Sequence, residues 1–145
     1  MKTNKVVVYL GLAAIALIFT LAASACATGN LQIYGMGDVV DVGFDQTMVL
    51  SRAEFLDDKL EAAFTIENMG TEANSYNLML SLQARNPEGT PLPQLIPCGS
   101  NLDGSLQPGE QATGVICWNT RGADTVRIHF IVLLSETDIV WDVVR

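Results

Sequence analysis

The sequence predicts an all-β protein, a two-sheet antiparallel sandwich of about seven to nine short strands, behind an N-terminal signal or anchor helix. Three observations carry this reading. From Leu31 onward, apolar and polar residues alternate in short runs, the period-2 rhythm of half-buried strands, with no long helical period. Gly, Pro, Asn and Asp break those runs at intervals of roughly 8 to 15 residues. Ahead of them, Lys2 and Lys5 precede an unbroken apolar run from Val6 that closes on Ala22, Ala23, Ser24 and Ala25, the layout of a secretory leader. A small barrel is the alternative closure of the same strands.

In chain order, residues 1–25 form the signal peptide or membrane anchor, 26–34 a short linker, and 35–145 one domain. About 120 residues can bury one core and are too few for two. Residues 38–43 and 48–55 are the first expected strands. The clearest is Lys59–Asn68, where Leu60, Ala62, Phe64 and Ile66 share one face and Glu61, Ala63, Thr65 and Glu67 the other. Residues 77–84 repeat the device, with Leu78, Leu80 and Leu82 expected inward, before a turn over residues 86–89. Pro91, Pro93 and Pro97 each remove a ladder donor, so the segment before Cys98 reads as an edge strand or extended loop. Gln111–Asn119 and residues 125–134 are strands joined by a turn at Arg121 and Gly122, and residues 139–144 close the domain. Val126, Ile128, Phe130 and Val132 form a long inward stripe, expected to face the Leu60 to Ile66 stripe across the sandwich.

Three cysteines in an exported chain leave one to explain. Cys26 follows the small residues that end the apolar run, an arrangement that resembles the lipobox of bacterial lipoproteins, with Ala23 at the place where that motif usually carries a branched aliphatic residue. The resemblance implies that Cys26 is lipidated after cleavage and anchors the chain. Ala23-Ser24-Ala25 also fits ordinary signal cleavage and release. The 20 uncharged residues from Val6 to Ala25 are also long enough to remain as a spanning anchor. All three outcomes put the domain outside the cytoplasm, because the two lysines favour the cytoplasmic side. Cys98 and Cys117 then remain to form a disulfide in an oxidising compartment.

The leader holds two of the eight basic residues, leaving six against 16 acidic ones, a formal charge of −10. With its few cations scattered, the domain is not expected to bind nucleic acid. His129 is the single histidine, and no G-x-S-x-G elbow is present, so no catalytic group is assigned and the chain reads as a non-enzyme. His129 reads instead as a half-exposed strand residue. Asp38, Asp41 and Asp45, or Asp57 with Asp58, lack calcium-loop spacing and read as solvated loop acids. Met36, Met48, Met69 and Met79 are dispersed, unlike a soft-metal cluster. No metal and no cofactor is therefore expected. Trp118 and Trp141 sit within apolar strands and read as core; a sugar-stacking platform with Tyr34 and Tyr76 is the alternative.

Four local patterns taken together resemble a bacterial family. GMGDVVDVG at residues 35–43, FTIENMG with Asn68 at the strand end, LQPGE at residues 106–110 and a final apolar strand are similar to the domain of unknown function 4352. The resemblance covers about residues 35–144, and the disulfide pair is not part of it. It implies a telokin-like, immunoglobulin-type β-sandwich of secreted proteins and lipoproteins, with no catalytic residues and no defined ligand. The resulting expectation is a non-enzymatic, lipid-anchored interaction module of the cell envelope whose partner is an unidentified envelope or extracellular protein. The alternative is an extracytoplasmic binding domain for a small molecule, sugar or ion.

Overall fold

The computed structural model describes residues 31–132 and 135–145, so the leader, Cys26 and the tip of the expected strand 125–134 lie outside the described residues. The elements are β1 (Gln32–Tyr34), β2 (Val40–Gly43), β3 (Gln46–Leu56), β4 (Lys59–Asn68), β5 (Asn74–Asn77), α1 (Leu78–Ser81), β6 (Leu82–Arg85), β7 (Gln94–Ser100), β8 (Asp103–Leu106), β9 (Gln111–Asn119), β10 (Thr125–Val132) and β11 (Ser135–Val144). One sheet runs β1-β11-β10-β6 and the other β2-β3-β4-β9-β7, while β5 and β8 pair as a separate ribbon. The fold is a β-sandwich, antiparallel throughout except where β1 lies parallel to β11.

Its core follows from alternation. On β4, Leu60, Ala62, Phe64 and Ile66 are all buried, and on β10 Val126, Ile128 and Phe130 meet them in one apolar cluster with Val132 packed against it. Trp118 and Trp141 are fully buried in the same cluster, and the Phe64 ring stands edge-on to Trp141 at 5.2 Å. Glu61, on the outer face of β4, reaches Arg52 at 2.8 Å and Lys59 at 3.3 Å; its side chain is 21% exposed, half-covered by these long neighbours. Ala63 on that face is also buried, and beside it the β3 bulge places Ser51, whose Oγ donates to the Ala63 carbonyl at 3.0 Å.

Three stretches differ from the alternation-based expectation. Residues 77–84 are not one strand: Asn77 ends β5 with its side-chain carbonyl accepting the Leu80 amide at 3.0 Å, which caps the helical turn α1. Strand and helix periods agree on placing residues 78 and 82 on the same side, and both are buried. They disagree at residue 80, and Leu80, expected inward, is 72% exposed. Residues 32–34, expected as linker, form β1 because three backbone positions pair with Ile139, Val140 and Trp141, and Tyr34 packs on the Trp141 ring at 6.4 Å. A strand this short carries no legible period. The last strand starts at Ser135 instead of residue 139, the extra length being paired with the end of β10 beyond a register shift between His129 and Ile131.

Candidate functional site

Between the two sheets, at the end of the sandwich that carries the β2–β3 hairpin, lies a cavity of about 300 Å³. Met48, Ile66, Leu78 and Phe130, all buried core residues, form its floor. Among the described residues its rim is polar but neutral: Gln46, Asn74, Ser75, Asn77 and Ser81 line it with Tyr76, Phe44, Ile131 and Val132, and none of these side chains is charged.

Phe44 is the unusual member. The β2–β3 connection is a two-residue turn in which Phe44 and Asp45 both adopt left-handed backbone conformations, φ 56° and 55°. Such turns suit the twist of a hairpin, and Asn and Gly normally fill them. A bulky aromatic residue there is strained, a feature that clusters at functional sites and costs on the order of 1–3 kcal/mol. Neighbouring groups hold the turn in place. Asn74 Nδ2 donates to the Phe44 carbonyl, the Met69 amide to the Asp45 carbonyl at 2.7 Å, and the buried Gln46 Nε2 to the Ser75 carbonyl at 3.1 Å. The result is a Phe44 side chain left 65% exposed at the cavity mouth.

A second surface is the pair of outer strands on the N-terminal side. β1 and β2 are the outermost strands of their respective sheets. Leu31, Ile33, Met36 and Val39, within and just ahead of them, are all exposed, Val39 at 70%. The opposite outer strands, β6 and β7, are guarded. Pro91 bridges to Arg85, the Leu92 amide donates to the Ala84 carbonyl at 2.8 Å, and Gln94 Nε2 donates to the Met79 and Leu82 carbonyls at 3.0 and 3.1 Å. Beyond Gln94 the strand loops out until Gly99, where it rejoins β9. Gly99 has φ +122°, and a Cβ there would stand 2.2 Å from the Val115 carbonyl oxygen, so that return needs glycine. Prolines and bulges of this kind are what keep a sheet edge from pairing with another chain.

Cys98, inside that loop, is bonded to Cys117 on β9, with the Cα atoms 5.8 Å apart. Among the described residues, the group of donor side chains close enough to share an ion is Glu61 with these two cysteines, whose sulfurs the disulfide occupies. The loop acids are exposed and dispersed. Asp38 accepts the Gly35 amide at 2.7 Å and Asp41 the Gly43 amide at 2.8 Å, each closing its own turn. His129 is half-buried on β10, between Gln83 and Val140 of the flanking strands. Met48 is core, Met79 half-buried, and Met36 and Met69 exposed. Phe44, Gln46 and Asn74 went unread in the sequence as site residues. A Phe-Asp pair between two strands carries no turn signature, and only the tertiary contacts reveal the backbone it adopts.

No protein-family model matches the chain, and no curated protein matches it by sequence. Among solved structures it is similar to the yjhA protein of Bacillus subtilis, 17% identical, with a TM-score of 0.58 over 77% of this chain and 98% of that one. It is also similar to MPT63, a secreted protein of Mycobacterium tuberculosis, 16% identical, with a TM-score of 0.56 over 80% of this chain and 100% of that one. At these identities the likeness is one of fold, and it agrees with the β-sandwich built above.

Proposed function

We propose that this chain is a non-enzymatic, extracytoplasmic interaction module of the domain 4352 type, tethered at the membrane through a lipidated Cys26, that engages an envelope or extracellular protein along its N-terminal edge. The observation that carries the reading is the asymmetry between the two sides of the sandwich. Prolines and a disulfide-closed bulge interrupt the β6–β7 side, where Leu80 and Ile96 are exposed, whereas the β1–β2 side presents exposed Leu31, Ile33, Met36 and Val39 on or beside outermost strands that, among the described residues, carry no proline. An apolar strand edge offers both the backbone groups and the side chains used in strand addition.

The Cys98–Cys117 disulfide supports an oxidising compartment. The fold it shares with a protein described as secreted is consistent with the same location. The test is capture from envelope extract by the wild-type chain and by edge variants. Ile33→Lys and Val39→Lys, each placing a charge on the edge, should remove the captured protein without lowering the unfolding midpoint. Ile96→Lys on the guarded side should retain it. Equal capture by all three variants would overturn the reading.

A further inference from the structure

We infer that the cavity behind Phe44 is a binding site for a small uncharged amphipathic molecule, with a compact apolar body and one hydroxyl or amide group. The inference goes beyond the edge reading and stands independently of it. Three observations meet at the cavity. Its volume of about 300 Å³ lies at the lower end of the range for ligand pockets, enough for a single-ring or short-chain molecule. Its floor is buried hydrophobic core, from Met48 to Phe130, and the polar side-chain groups its described residues place at the rim are amides and hydroxyls. A charged ligand would lose its hydration there without a counter-charge to replace it, and anions would also meet the repulsion of a strongly acidic domain.

The third observation is the hairpin. A glycine at residue 44 would relax the φ of 56°, yet the position holds a phenylalanine whose ring is exposed at the mouth. Core packing does not account for it. A flat apolar body entering the cavity would give the ring the contact it lacks.

The test uses the full chain labelled with ¹³C at the methionine methyls and three probes with the same body: 2-phenylethanol, phenylacetate and 2-phenylethylamine. Met48 lines the cavity floor, while Met36 is exposed in the β1–β2 connection and serves as an internal control. The Met48 methyl should shift saturably with 2-phenylethanol, the Met36 methyl should stay in place, and the charged probes should bind at least tenfold more weakly. Phe44→Gly should weaken 2-phenylethanol at least fivefold while the unfolding midpoint is unchanged or raised, because the strain is released as the contact is lost. Ser81→Phe, which fills the cavity from α1, should abolish the shift. Equal binding of the three probes, a non-saturating Met48 response, or undiminished binding by Phe44→Gly would each overturn the inference, and Phe44→Gly keeps the test open should Ser81→Phe not fold.

Discussion

Asn68, wholly buried at the end of β4, donates its side-chain amide to the carbonyl of Leu106 at 2.9 Å and so ties the FTIENMG stretch to the LQPGE turn. The same NH₂ reaches the Glu72 carbonyl at 2.7 Å, and its Oδ1 accepts the Gly70 amide at 2.9 Å. Its backbone donates to the Glu110 carbonyl at 3.0 Å and accepts from Gly109 at 2.8 Å. Glu110 closes the turn, accepting the Gln107 amide at 2.6 Å. Two motifs that are weak one at a time in sequence are therefore one hydrogen-bonded junction in space. Asn68→Ala leaves several of these groups without partners, at about 1–3 kcal/mol for each that stays buried, and should lower the unfolding free energy by about 2–4 kcal/mol in a denaturant titration. A loss below about 0.5 kcal/mol would show that the junction is not structural.

Phe64 is fully buried and stands edge-on to Trp141, whereas Phe130 sits at the cavity floor with a little surface exposed. Phe64→Ala should cost about 4–5 kcal/mol and Phe130→Ala about 3 kcal/mol, since a side chain beside an existing cavity leaves less new void. Glu61→Ala, which removes only pairs to Arg52 and Lys59 at the outer face, should stay within about 1 kcal/mol. Chemical denaturation of the three variants checks the order.

The Cys98–Cys117 bond spans 19 residues of sequence and closes the loop that departs from β9 between Gln94 and Gly99. On the chain-entropy model, losing it should destabilise the domain by about 3 kcal/mol, read as the difference between oxidised and reduced unfolding curves. Thiol labelling of the unfolded, unreduced chain should leave both cysteines unmodified.

Cys26 is expected to carry the lipid, since Cys98 and Cys117 satisfy each other. Intact mass of membrane-extracted protein should show cleavage before Cys26 with an acylated first residue. A chain beginning at Cys26 without acyl mass would identify a released form, and an intact Met1 an uncleaved anchor.

The sequence made the regular parts legible. β4 and β10 alternate regularly enough that their inward faces follow from period, and the opposition of Phe64 to the Val126–Phe130 stripe from the need of each sheet for an apolar partner. Cysteine parity gave the disulfide. What stayed hidden lies where local and tertiary signals part. Asn77 turns a strand-like Leu-x-Leu-x-Leu run into a helical turn through one side-chain cap, β1 is too short to show a rhythm, and Phe44 owes its conformation to Asn74 and Met69 far along the chain. The site is legible only in three dimensions because its strain is imposed by contacts distant in sequence.

The central claim, that the β1–β2 side is the working face, is tested most directly by photo-crosslinking in intact envelopes, with a benzophenone residue in place of Ile33 or, separately, of Ile96. Both positions are exposed, so reactivity alone does not separate them. The account predicts a discrete protein adduct from position 33, competed by excess unlabelled chain, and none from position 96. An adduct from position 96 with none from position 33 would contradict it.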